Sequence, residues 1–155
     1  MTGEIPLTHP SADDPIVPAL KLARGTLVCR NLPESRRFYE EFFGFTCVES
    51  EPGKLLLRAG ENWVLEVREE PGLEHPQGVF NHWGFDVQSN DDVLHAHEMA
   101  VANKDKYGIL RIQKPKNQHG SYSFYFQDRD SNWWEFQHRT ASPDQLAARG
   151  DVVPT

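Results

Sequence analysis

The feature that most constrains this chain is a repeat: the succession strand, helix, strand, strand, strand can be read twice between residues 22 and 138. Residues 22–30 (LARGTLVCR) alternate, with Ala23, Gly25, Leu27 and Cys29 on one side and Arg24, Thr26 and Val28 on the other, the period of a half-buried strand. A helix is predicted over 33–43, where Pro33 and Glu34 suit the first turn, Phe38, Tyr39, Phe42 and Phe43 recur at helical spacing, and Gly44 is placed to end it. Strands follow over 45–50, 54–59 and 62–69, separated by Pro52-Gly53 and Gly60. The second half runs the same programme. A strand over 80–88 leads to Asp91 and Asp92 at a helix start, to Val93, Leu94, His97, Ala100 and Val101 on one helical face, and then to strands over 109–114, 122–128 and 132–138.

A βαβββ unit repeated at a period of about 55 residues defines an α+β fold. Two such modules pair their sheets into a curved, half-open barrel with the helices outside. At 155 residues the chain fits one such domain and is short for two independent ones. We expect modules over 21–70 and 79–139 in one domain, an extended or disordered arm over 1–20, and a polar tail over 140–155 with at most a short helix around Asp144–Ala148.

Several function classes are excluded by composition. Asp and Glu outnumber Lys and Arg 23 to 16, and a net charge of -7 argues against a sequence-independent grip on nucleic acid. No apolar run approaches the roughly 18 residues of a membrane span. The first residues lack the basic start and apolar core of a secretory signal, so a cytoplasmic location is expected. Cys29 and Cys47 each sit in a strand-like run and are expected to be reduced and buried. There is no Gly-rich phosphate loop, nucleophile signature or CxxC pair.

The stretches NLPESRRFYEEFFGF and SFYFQDRDSNWWEF resemble the two characteristic segments of the vicinal oxygen chelate superfamily. That superfamily includes glyoxalase I, fosfomycin- and bleomycin-resistance proteins, methylmalonyl-CoA epimerase and extradiol dioxygenases. The resemblance spans roughly 21–139. It implies metal ligands near the start of the first strand and late in the last strand of each module, facing the concave side. Carried over residue by residue, Arg24 stands where a His or Gln would be, followed by Glu66, His82 and Glu135. Two carboxylates and an imidazole suit Fe(II), Mn(II), Ni(II) or Zn(II).

Arg24 departs from that pattern, because a protonated guanidinium has no lone pair to offer a metal. Two readings follow. In one, Glu66, His82 and Glu135 hold a divalent metal for dioxygenase or glyoxalase-like lyase or isomerase chemistry on a small aromatic or dicarbonyl substrate, Glu66 or Glu135 moves a proton, and Arg24 receives an anionic substrate group. In the other, Arg24 neutralises Glu66 or Glu135 and the protein binds a small molecule without metal, as bleomycin-resistance proteins do.

Tyr125 resembles the substrate-contacting tyrosine of extradiol dioxygenases and is otherwise a packing residue. His119 is a proton donor or acceptor, or a solvent-exposed loop histidine. His97 is expected in the core, and His75 and His95 on the surface. Trp133 shares the inner face with Glu135 and offers an aromatic wall to a flat ligand, whereas Trp63, Trp83 and Trp134 are assigned either to that cavity or to packing. The resemblance also implies a homodimer.

Overall fold

The computed structural model describes Ile16 and residues 25–60, 62–72, 74 and 78–151, the side chains of 62–64 excepted. Arg24, His75 and, apart from Ile16, the expected N-terminal arm lie outside the described residues, as does the side chain of Trp63.

Module one comprises β1 (Gly25–Cys29), α1 (Leu32–Glu41), β2 (Thr46–Glu51), β3 (Lys54–Ala59) and β4 (Asn62–Glu69). Its sheet runs β1-β4-β3-β2, with β1 parallel to β4 and the other neighbours antiparallel. Module two begins with β5 (His82–Asp86) and α2 (Asn90–Ala102), continues through α3 (Lys104–Tyr107), β6 (Arg111–Ile112) and β7 (Lys116–Gln118), and closes with β8 (Ser121–Gln127) and β9 (Trp133–Arg139). Its sheet runs β5-β9-β8-β6, with β7 also on β8. A final helix, α4 (Pro143–Ala148), is held by a capping box from Ser142 and Gln145. No described helix is long and apolar enough to cross a membrane.

Two local differences from the expected elements have identifiable causes. A single strand was expected over 109–114. Instead the edge is broken into β6 and β7, because Pro115 between them has no N–H to give the ladder. The second helix is prolonged by the single turn α3, which ends at Gly108 in the left-handed region (φ 66°).

Strand alternation divides each sheet into two faces. Leu55, Leu57, Leu65 and Val67 of module one, and Phe124, Phe126 and Trp134 of module two, turn to the helix side and are buried. Helix α1 and the residues just after it tie these layers together, because Tyr39 meets Trp134 edge-on and Phe43 packs on Phe85, Phe126, Trp134 and Phe136. His97 lies in this layer as expected, edge-on to Phe124. Cys29 and Cys47 are free and buried, and burial pushes both thiols up to about 12.

No ladder joins β1 to β5, so the seam between the modules is closed by side chains. Asp130 accepts from Arg30 N at 2.9 Å and from Ser35 Oγ at 2.7 Å, and Asn132 Nδ2 donates to Val28 O at 3.1 Å. Gly25 lies against Trp83 so closely that a Cβ there would fall 2.2 Å from Trp83 Cζ2. The loop supplying Asp130 and Asn132 is itself organised by Asp128. One oxygen of that carboxylate accepts from Asp130 N and Asn132 N, and the other accepts from Trp134 Nε1 at 2.9 Å.

Ser131, in the same loop, adopts φ 68°, a conformation that costs an L-residue about 1–2 kcal/mol and glycine almost nothing. Ser131→Gly is expected to stabilise the fold by about 1 kcal/mol, and thermal unfolding should rise by roughly 2–4 °C. A lowered transition would show that the serine side chain, rather than the backbone, sets the loop.

Candidate functional site

The concave face of module two collects the polar side chains that strand parity turns away from the core. His82 on β5 lies directly opposite Trp133 on β9, and Gly84 lies opposite Glu135, which in turn faces Tyr125 on β8. A Cβ at Gly84 would meet Glu135 Oε2 at 3.6 Å, an ordinary van der Waals contact. The carboxylate lies over β5 beside His82, with Nε2 and Oε2 3.3 Å apart.

Each group in this cluster is fixed by a further contact. His82 Nδ1 lies 2.7 Å from the Val79 carbonyl, which can only accept, so Nδ1 carries the proton. The other ring nitrogen, Nε2, then faces Glu135. Tyr125 lies directly across from Glu135, and its ring stands 4.8 Å from the His82 ring in an edge-on arrangement. Burial first, and then the Glu135 charge, push the Tyr125 phenol up to about 12, so it remains a donor at neutral pH. Trp133, 6% exposed, forms the adjoining wall. A cavity of about 360 Å³ opens at the seam, bordered by Thr26 and Val28 of β1 and by Asn81, His82, Asn132 and Trp133.

Glu66 is on the concave face of module one, away from this cluster. It is 2% exposed and is engaged by Arg68 Nε at 2.8 Å and Lys54 Nζ at 3.4 Å. Strands β1 and β5 and the seam between them separate β4 from β9. Among the described residues no three His, Cys, Asp or Glu side chains converge as a metal site. The structure thus brings His82, Glu135, Tyr125 and Trp133 together and pairs Glu66 with Lys54 and Arg68.

His119 is exposed in the turn between β7 and β8 with φ 52° and makes no contact with the cluster. Trp134 is wholly in the core and Trp83 is at the seam. Sequence reasoning missed the cations on Glu66. Arg68 could have been found from the i, i+2 parity of one strand, whereas Lys54 required the register of the Pro52-Gly53 hairpin.

The glyoxalase/bleomycin resistance protein/dioxygenase superfamily model matches residues 21–136, and the chain belongs to that superfamily. No curated protein sequence matches it. Among solved structures, the chain is similar to the fosfomycin resistance protein FosX from Listeria monocytogenes complexed with Mn(II) and sulfate ion (TM-score 0.65, 19% identity, covering 84% of this chain and 98% of that one). It is also similar to a possible glyoxalase from Bacillus cereus (TM-score 0.60, 22% identity, 77% and 99%). A glyoxalase/dioxygenase from Nostoc punctiforme gives a TM-score of 0.61 at 18% identity, covering 78% and 92%. These likenesses establish the βαβββ fold.

Proposed function

We propose that the chain is a metal-dependent enzyme acting on a small oxygen-chelating substrate, aromatic or dicarbonyl, with His82 and Glu135 as the protein's ligands to a divalent ion. The observation that carries this reading is the 3.3 Å approach of His82 Nε2 to Glu135 Oε2. With Nδ1 donating to Val79, Nε2 is the ring atom left to face the carboxylate, and a cation held between Nε2 and Oε2 would satisfy both. Two ligands of one divalent ion, each at about 2.1 Å and at tetrahedral to octahedral angles, stand about 3.0–3.4 Å apart. The donor set therefore fits, and a neutral imidazole beside a carboxylate suits Mn(II), Fe(II), Ni(II) or Zn(II). The Mn(II) bound by FosX supports the same reading.

A divalent ion at this point would polarise substrate oxygens as a Lewis acid. The protein's own groups do the rest. The Val79 carbonyl fixes the imidazole orientation, as an outer partner of a metal-binding histidine does. Tyr125, held protonated beside Glu135, has a single hydroxyl proton to give either to that carboxylate or, in its place, to a substrate oxygen. Trp133 offers a flat apolar surface that positions an aromatic substrate and excludes water. Two ligands are fewer than the three of catalytic zinc-type sites, so we take a homodimer as the working unit, with a second chain as the nearest source of another donor.

A metal-free, bleomycin-resistance-like binding protein is the second reading, favoured by one observation: Lys54 and Arg68 already compensate the Glu66 charge. Metal content of protein purified anaerobically, without chelator or histidine tag, separates the two. Near-stoichiometric metal in the wild type is expected to fall at least tenfold in Glu135→Ala and to persist in Glu66→Gln. No metal after reconstitution with Mn(II), Fe(II), Ni(II) and Zn(II), or metal that survives Glu135→Ala, would eliminate the metalloenzyme reading.

A further inference from the structure

Four concave-face residues form one straight row across module two. His82 on β5 pairs with Trp133 on β9, Trp133 with Gln127 on β8, and Gln127 with Arg111 on β6. Directly opposed residues on neighbouring strands project to the same face, so the row runs from the His82–Glu135 pair, over the Trp133 ring, to Arg111. Three strand steps place the backbones at its ends on the order of 14 Å apart. Gln113 extends the adjacent row of Gly84, Glu135 and Tyr125, donating its backbone N–H to Tyr125 O at 2.8 Å.

A second cavity, of about 730 Å³, opens at the far end of the row. It shares Trp133 with the seam cavity, and Arg111, Gln113, Gln127 and Ser131 are its polar lining. Among the described residues lining it, Arg111 is the one charged group, in a chain where acids outnumber bases 23 to 16. No ion pair to Arg111 is found among the described residues. A guanidinium with its fork open, beside amide groups and an aromatic wall and without a competing carboxylate, is suited to a planar anion.

We propose that Arg111 is the specificity-determining residue of this site and that the substrate class is an aromatic or extended apolar molecule bearing a carboxylate. Its body lies along Trp133, its carboxylate is taken by Arg111 with Gln113 and Gln127 alongside, and its opposite end reaches the His82–Glu135 pair. This rests on the reading of that pair as the reactive end, but the anion end is tested without metal.

The probes are 2-naphthoate and its neutral isostere 2-naphthamide, titrated calorimetrically into the full-length, chelator-treated protein. Metal-free wild type is expected to bind the carboxylate at least tenfold more tightly than the amide. Arg111→Gln should abolish the preference while leaving amide affinity and the unfolding transition unchanged, and Arg111→Lys should retain part of it. The same titrations with Mn(II) present, alongside Mn(II) binding measured alone, keep the two ends apart: loss of Mn(II) binding would strike the metal reading and leave the Arg111 preference standing. Equal affinity for both probes, binding of neither, a preference that survives Arg111→Gln, or one that appears only with Mn(II) would each overturn the proposal.

Discussion

Asp128→Ala is expected to cost about 3–5 kcal/mol of unfolding free energy, measured by denaturant titration at pH 5, because it strips the acceptor from three donors at once. Trp134 Nε1 and the N–H groups of Asp130 and Asn132 all end on this carboxylate, in a site 1% exposed to solvent. The damage should extend past the loop, since Asp130 and Asn132 carry the contacts to Arg30, Ser35 and Val28 that close the seam. A loss below 1 kcal/mol would mean that the loop holds its shape without Asp128.

The same residue predicts a pH dependence. Burial pushes the Asp128 carboxyl from 3.8 up to about 7, against the opposing pull of its three donors, Trp134 first among them. A raised acid binds its proton more tightly when folded, so its contribution is fully present below about pH 4 and is lost as pH rises through about 7. Wild type should therefore lose stability relative to Asp128→Asn across that window. A difference that is flat with pH would show that the three donors hold the carboxylate ionised throughout.

Gly25→Ala is the second large effect. Its Cβ would fall 2.2 Å from Trp83 Cζ2 and 2.4 Å from Cη2, and a rigid ring has no flexible end to withdraw. Overpacking of this kind costs about 1–3 kcal/mol. Because the clash falls beside the cavity bordered by Thr26, Val28 and His82, ligand and metal affinity should drop along with stability. Shortening the partner tests the cause: Gly25→Ala with Trp83→Leu should recover most of the loss in a double-mutant cycle. Additive costs would place the defect in β1 itself.

The sequence made the fold legible because its signals are local. Period-2 and period-3.6 patterns, Gly44 after α1 and the Pro52-Gly53 turn define elements before any tertiary contact is known. His82, Glu135, Tyr125 and Trp133 were readable as one concave cluster, since strand parity and the resemblance point to the same face. The company kept by Glu66 was not readable. Whether a strand carboxylate meets a metal or a lysine depends on register with β3 and on the distance across the seam, and both are properties of the assembled sheets. The row that joins Arg111 through Gln127 and Trp133 to His82 is likewise set by register across four strands, which local patterns do not specify.

Gly25 and Trp83 hold corresponding places in the two halves of the repeat, one residue after Arg24 and one after His82. In a symmetric ancestor built from two copies of one module, the twofold axis would pass between these positions and both would carry the same residue. Two tryptophans would collide there and two glycines would leave a void. A small residue fitted against a large one avoids both, so the repeat departs from its own symmetry at the seam where its halves meet.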